Sequence, residues 1–151
     1  MTIVESIVHE EELNEECSVY RRTTITLGFE DRQKVHGRRR SDDGLEFAIS
    51  LDAGLTLTSG DCFILKPDRV VVVVKEAPES VFVVKPTSKQ DWAYCAYQIG
   101  NRHQKLMVSD NELVCLQDPA VKSLFDQLDL SYEEDSRPFT AVTVTSGHHS
   151  H

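Results

Sequence analysis

Two kinds of hydrophobic periodicity divide the chain. In its first half, apolar residues alternate with polar or small ones, which is the pattern of half-buried β-strands. The alternation is clearest at Ile25, Leu27 and Phe29, and again at Leu45, Phe47, Ile49 and Leu51. Residues 70–74 form a continuous β-branched run, typical of a fully buried strand. Turn signals such as Asp42-Asp43-Gly44 separate these runs, so the sequence predicts a small β-sandwich or barrel-like domain with no helical period.

After a polar segment with a proline, at residues 75–80, the period changes. A strand is expected at residues 81–84, and then a helix with Ser88 as its N-cap and Gly100-Asn101 as its stop signal. A hairpin at residues 105–116 follows, and Asp118-Pro119 opens a second helix. A last strand is expected between Leu130 and Phe139. This βαββαβ order is the ferredoxin-like arrangement.

The predicted fold class is therefore α+β, with a β-rich N-terminal domain followed by a ferredoxin-like domain. We place the domains at residues 1–76 and 77–140, with a flexible histidine-containing tail at residues 141–151.

The charge balance narrows the possible partners. Asp and Glu number 25 and Lys and Arg 16, so the formal net charge is −9. A negative chain repels phosphate backbones and anionic lipids, which argues against nucleic-acid and membrane binding. The one basic patch, Arg38-Arg39-Arg40, is interpreted as a solvated or partner-facing loop. No apolar run reaches the ~20 residues of a membrane span, and the N-terminus does not resemble a secretory signal.

The four cysteines lie in or beside apolar runs and form no C-x-x-C pair. They are interpreted as buried reduced thiols, with a structural zinc site or a disulfide framework as the alternatives. This usage indicates a cytoplasmic protein. The members of the set are Cys17, Cys62, Cys95 and Cys115.

Histidine placement is the most informative chemical feature. Three of the six histidines, His148, His149 and His151, lie within the last four residues. Neutral imidazole is a good ligand for nickel, copper, zinc and cobalt, and a flexible tail can bring several imidazoles to one ion and also release it. The alternative is an idle tail.

His103 is the second candidate ligand, since it follows the predicted helix stop at an exposed corner. One imidazole holds a metal weakly, but a residue beside a two-fold axis meets its own copy, so a dimer would present two. The alternative is an ordinary surface histidine. His9 and His36 have no histidine or cysteine at ligand spacing and are interpreted as surface residues.

No catalytic motif emerges from the sequence. It has no phosphate-binding P-loop, no G-x-S-x-G elbow and no H-E-x-x-H pair. The acidic cluster at residues 133–135 is interpreted as a solvated loop and not as an acid/base pair.

These features together resemble one family, the urease accessory metallochaperones that carry nickel to apo-urease. The more specific match is Tyr97-Gln98-Ile99-Gly100-Asn101-Arg102-His103, where the family has a Gly-Asn-Arg-His segment with its metal-binding interface histidine. The first half is similar around Arg38-Arg39-Arg40 and around Leu57-Thr58-Ser59-Gly60-Asp61. The family also tends to end in a histidine-containing tail. This tail is short, so a large capacity for metal storage is not expected.

The resemblance implies a non-enzymatic homodimer, or a dimer of dimers, that carries Ni(II). Zn(II) or Cu(II) would suit the same ligands. It implies His103 as the interface ligand, with one or more of His148, His149 and His151 completing the shell. The implied partners are a urease accessory GTPase and apo-urease. Two rival functions remain, a protein-interaction module with an incidental His tail and an enzyme that uses a histidine-held metal.

Overall fold

The computed structural model describes residues 1–142. The chain divides into two compact units, with the boundary between Ala77 and Pro78. Within the described part of the chain, no helix is long and apolar enough to cross a membrane.

Seven strands form the first unit. They are β1 (Ile3–Val4), β2 (Val8–His9), β3 (Arg21–Leu27), β4 (His36–Arg40), β5 (Glu46–Ser50), β6 (Asp61–Leu65) and β7 (Val70–Glu76). One sheet has the order β1-β5-β4, and the other has the order β2-β6-β7-β3. β3 runs parallel to β7, and β1 runs parallel to β5, while the remaining pairs are antiparallel.

The core of this unit follows the predicted alternation. In β5 the side chains of Phe47 and Ile49 are buried, while Glu46 and Ser50 are exposed. The valine run in β7 is buried on both faces, as its composition predicts. Val72 packs in the main core, and Val71 packs on the other face against Cys17, Tyr20 and Cys62.

Three expectations for this unit are wrong. Phe29 does not continue the strand pattern, because Gly28 ends it and Phe29–Arg32 form the short helix α1, which still buries the Phe29 ring. Arg38-Arg39-Arg40 lies in strand β4 and not in a loop, because these residues pair with β5. The unit is also not free of helical turns. Asn14 accepts a hydrogen bond from the Cys17 amide (3.2 Å) and so begins a 3₁₀ helix at Glu15–Val19. A further 3₁₀ turn spans Glu10–Glu12.

Over residues 78–142, the second unit contains two helices and four strands. Its elements are β8 (Pro78–Val84), α2 (Lys89–Asn101), β9 (Met107–Val108), β10 (Leu113–Leu116), α3 (Pro119–Gln127) and β11 (Glu133–Pro138). The sheet has the order β11-β8-β10-β9, and every neighbouring pair is antiparallel. The α+β class is confirmed, and this strand order fits the ferredoxin-like arrangement.

Local signals define the helices of this unit as the sequence predicts. The Ser88 hydroxyl accepts a hydrogen bond from the Asp91 amide (3.0 Å), and the Asp118 carboxylate accepts one from the Val121 amide (2.9 Å). The apolar stripes of both helices pack on the sheet, where Ile99 and Phe125 are completely buried. The acidic residues 133–135 were expected in a loop. They lie in strand β11, because that segment pairs with β8.

Candidate metal site

The end of helix α2 positions His103. The His103 amide donates a hydrogen bond to the Gly100 carbonyl (2.9 Å), and the Gln104 amide donates one to the Ile99 carbonyl (3.3 Å). These two bonds form a Schellman motif, which requires a left-handed residue at the first position beyond the helix cap. His103 is that residue, with φ of +56°. The motif turns the chain sharply and leaves the imidazole exposed at the corner.

This backbone position normally favours glycine, since an L-residue in the left-handed region is strained by about 1 kcal/mol. The chain therefore carries an imidazole at this corner at a small cost in stability. Helix α3 ends in the same way, with Asp129 (φ +53°) at the equivalent position. Asp129 therefore offers a matched control for the backbone contribution alone.

A small pocket of about 260 Å³ adjoins the imidazole. It is lined by His103, Gln104, Lys105, Leu116 and Asp118. Asp118 is the carboxylate that sequence reasoning missed, because the nearest acidic residue along the chain is Asp110. The β9–β10 hairpin returns the chain, so that Asp118 lines the same pocket as His103. Its helix-capping signal was visible in the sequence, but no sequence pattern indicated this proximity.

Within residues 1–142, no group of three or more His, Cys, Asp or Glu side chains is arranged to hold a metal ion. One copy of His103 with Asp118 is thus at most a partial site. The other two described histidines lie in the first unit. The ring of His9 accepts a hydrogen bond from the Glu11 amide (3.3 Å), and the ring of His36 lies 3.4 Å from the Ser50 hydroxyl.

The cysteines belong to no group of side chains arranged to hold a metal ion within residues 1–142. All four are free thiols with buried side chains, as expected. Burial raises the pKa of Cys62 to about 11 and that of Cys115 to about 12, and it also raises the pKa of Cys95. Since a thiol must lose its proton to bind a metal, these three cysteines are poor ligands near neutral pH.

The predicted tail ligands His148, His149 and His151 lie outside the described residues. The segment that leads toward them is held by hydrogen bonds as far as Val142. The Val142 amide donates a hydrogen bond to the Leu106 carbonyl (2.7 Å), and the Thr140 amide donates one to the Met107 sulfur (3.4 Å). The buried Phe139 ring anchors the same segment. The tail therefore begins beside the connection that leads from His103 into β9.

Two of the three acidic residues of β11, Glu133 and Asp135, form ion pairs. Glu133 lies 3.3 Å from the ammonium group of Lys85, and Asp135 lies 2.7 Å from the guanidinium group of Arg137. The Arg137 hydrogen bond is the largest cause that lowers the pKa of Asp135. A depressed pKa stabilises the carboxylate form, which does not suit a general acid.

Comparison with known proteins identifies similarity along nearly the whole chain. The family model described as UreE urease accessory protein, N-terminal domain, matches residues 4–75, and the model of the corresponding C-terminal domain matches residues 79–151. Curated relatives share the name urease accessory protein UreE. The protein of Lysinibacillus sphaericus is 27% identical over 97% of this chain and 95% of its own. That of Halalkalibacterium halodurans is 28% identical over 84% of each chain, and that of a Synechococcus species is 34% identical over 79% of this chain and 68% of its own.

Proposed function

The chain belongs to the UreE urease accessory protein family, and we propose that it serves urease maturation as a nickel metallochaperone that delivers Ni(II) to apo-urease. The family consists of accessory chaperones and not of enzymes. We further propose that the protein acts in the cytoplasm, in keeping with its four free thiols. The observation that carries the proposal is the exposed imidazole of His103, which lies just beyond the end of helix α2 on a residue with left-handed backbone angles.

The ion is the cargo, and we propose that it is first bound by two copies of His103. Because one imidazole is a weak ligand, the site needs a second copy of the chain, whose His103 would lie across a two-fold axis. A homodimer is therefore part of the proposal, and the assembly of two dimers is compatible with it. Two imidazoles leave most of the coordination positions of the ion open, which suits a carrier that must release its cargo.

Tail histidines would complete the shell. Val142, where the described segment ends, is hydrogen bonded to Leu106, which lies three residues from His103. His148 follows Val142 by six residues, a length of chain that spans up to about 20 Å. The three residue-to-residue steps from His103 to Leu106 span at most about 10 Å. The tail is therefore long enough to bring His148, His149 or His151 to the His103 of its own chain.

Selection of nickel would not come from ligand strength, because imidazoles bind copper more tightly than nickel and bind zinc comparably. Zn(II) and Cu(II) would therefore occupy the same site. We propose that the partner complex, formed by a urease accessory GTPase and apo-urease, provides the selectivity. A protein-interaction module with an incidental tail would predict the same partners but no metal dependence.

Removal of residues 147–151 tests the role of the tail. We expect nickel affinity to fall at least about tenfold, because tethered imidazoles act at a high effective concentration near His103. The dimer should survive, since the tail is not proposed to hold it together. Isothermal titration calorimetry gives the affinity, and sedimentation gives the assembly. A full-length control, in which His148, His149 and His151 are changed to glutamine, should behave like the truncation. Unchanged affinity in both variants would contradict a ligand role for the tail.

The substitution Asp118→Asn tests the carboxylate of the pocket. Asparagine is as good an N-cap as aspartate, so the stability of α3 should be retained while one negative charge is lost. Loss of that charge near the ion should weaken nickel binding about two- to fivefold, the usual range for an exposed charge pair. Calorimetry measures the affinity, and a thermal melt checks the fold. Equal affinity for the two proteins would mean that Asp118 does not act on the ion.

A further inference from the structure

The three-stranded sheet of the first unit has one face turned to the core and one turned outward. Phe47 and Ile49 of β5 are buried, so the residues between and beside them point the other way. The cross-strand register places matching positions of β1 and β4 on that outward side. We call this set the outer face, and its residues are Ile3, His36, Arg38, Arg40, Glu46, Ala48 and Ser50.

The middle arginine of β4 has a structural task. Arg39 lies across from Phe47, on the inward side, and its guanidinium group donates hydrogen bonds to the carbonyls of Arg38 (2.7 Å) and Lys34 (3.3 Å). In an antiparallel pair, alternate residues direct their backbone groups toward the partner strand. The Leu51 amide donates to the Val35 carbonyl and the Ser41 amide donates to the Leu45 carbonyl, so Val35 and Ser41 face β5. Arg38 has the opposite parity, and its carbonyl therefore faces the open edge of the sheet. Arg39 therefore occupies this edge, which disfavours the addition of another strand.

Arg38 and Arg40 differ from Arg39. Both are exposed on the outer face, and neither has an ion-pair partner among residues 1–142. Glu46 lies directly across from Arg40 without forming an ion pair with it. Arg21, by contrast, is paired with Asp43.

An apolar surface lies beside these two charges. Ile3 is 63% exposed, and it is paired with Ala48, which is itself paired with Arg38. The outer face thus combines two unpaired guanidinium groups with a small exposed apolar centre. Guanidinium groups bind carboxylates in a planar, often bidentate geometry, and the apolar centre suits a side chain of a protein.

We propose that the outer face docks an acidic segment of a partner protein, with carboxylates on Arg38 and Arg40 and an apolar side chain on Ile3 and Ala48. The proposal rests on the accessory role of the family and not on the nickel site. A phosphate backbone would match the guanidinium groups, but it offers no apolar side chain to the exposed surface of Ile3 and Ala48. The docked segment would lie on the face of the sheet, since Arg39 covers the edge.

Fluorescence anisotropy of the full-length protein with a labelled acidic peptide, in which glutamates alternate with leucines, tests this proposal. The double variant Arg38→Gln/Arg40→Gln should bind the peptide about tenfold more weakly, as expected for the loss of two exposed charge pairs. Glu46→Gln should bind it a few-fold more tightly, because a repelling carboxylate is removed. The control Arg22→Gln/Lys89→Gln loses the same charge from exposed positions away from the outer face and should change binding by less than about twofold.

A thermal melt must show that the Arg38/Arg40 variant is folded, and its nickel affinity should match that of the parent protein. The docking and nickel proposals can therefore fail separately. Equal losses in the variant and the control would indicate unspecific charge attraction and would overturn the proposal. The proposal would also be overturned if an oligonucleotide of matched charge bound as tightly as the peptide. It would be overturned as well if the outer face bound only a second copy of the chain and not the peptide.

Discussion

Substitution of His103 by glycine should abolish tight nickel binding and leave the second unit at least as stable as before. The imidazole is the proposed ligand, so its loss removes the site from both copies. The backbone at this position has φ of +56°, and glycine adopts this region without the strain that a side chain imposes. We expect a stability gain of up to about 1 kcal/mol. Calorimetry measures nickel binding, and chemical denaturation measures the free energy of unfolding.

Asp129→Gly is the matched control for this experiment. Asp129 occupies the same left-handed position at the end of α3, so glycine should relieve a similar strain there without removing a proposed ligand. The two variants should resemble each other in stability and differ in nickel affinity by at least about a hundredfold. Tight binding that persists in His103→Gly would refute the interface ligand. His103→Ala is less informative, because alanine keeps the backbone strain.

Replacement of Arg32 by alanine should destabilise the first unit by about 3–5 kcal/mol. The Arg32 side chain is completely buried. It donates a hydrogen bond to the Leu57 carbonyl (3.2 Å) and lies 3.8 Å from the mostly buried carboxylate of Glu76. Its guanidinium group is 5.6 Å from the centre of the Phe29 ring. Alanine would leave a cavity beside a buried carbonyl and a buried charge, both of which are costly.

A double-mutant cycle with Glu76→Gln separates the charge from the packing. Loss of Arg32 should cost less when Glu76 is already neutral, because no buried charge is then left without its partner. Urea denaturation followed by far-ultraviolet circular dichroism gives the four free energies. An additive cycle would mean that the pair contributes through packing alone. If Arg32→Ala lowered the free energy of unfolding by less than about 1 kcal/mol, Arg32 would not be a major contributor to the stability of this unit.

The parts of the fold that could be predicted are those that local sequence signals specify. Ser88 and Asp118 specify helix starts through short-range hydrogen bonds, and the alternation through Phe47 and Ile49 specifies which face of a strand is buried. Such features depend only on neighbours in sequence. The end of β3 was mispredicted because Phe29 continues the alternating pattern, whereas Gly28 breaks the strand and the ring enters the core from a helical turn.

The candidate site was predictable only in part. His103 could be identified by its position after Gly100-Asn101, but its left-handed backbone depends on hydrogen bonds that the sequence does not display. Asp118 reaches the same pocket through a hairpin, so its proximity is a property of the tertiary fold. The arginine run had the same limitation, since three identical residues take different roles only once the strand register separates Arg39 from Arg38 and Arg40.

The central claim is that one nickel ion is shared by two chains through His103. Equilibrium dialysis of the full-length protein, at chain concentrations well above the dissociation constant, counts the tightly bound ions directly. The account predicts one tightly bound ion for every two chains and a loss of that ion in His103→Gly. One tightly bound ion on each chain, or a tightly bound ion on a chain that sediments as a monomer, would contradict it.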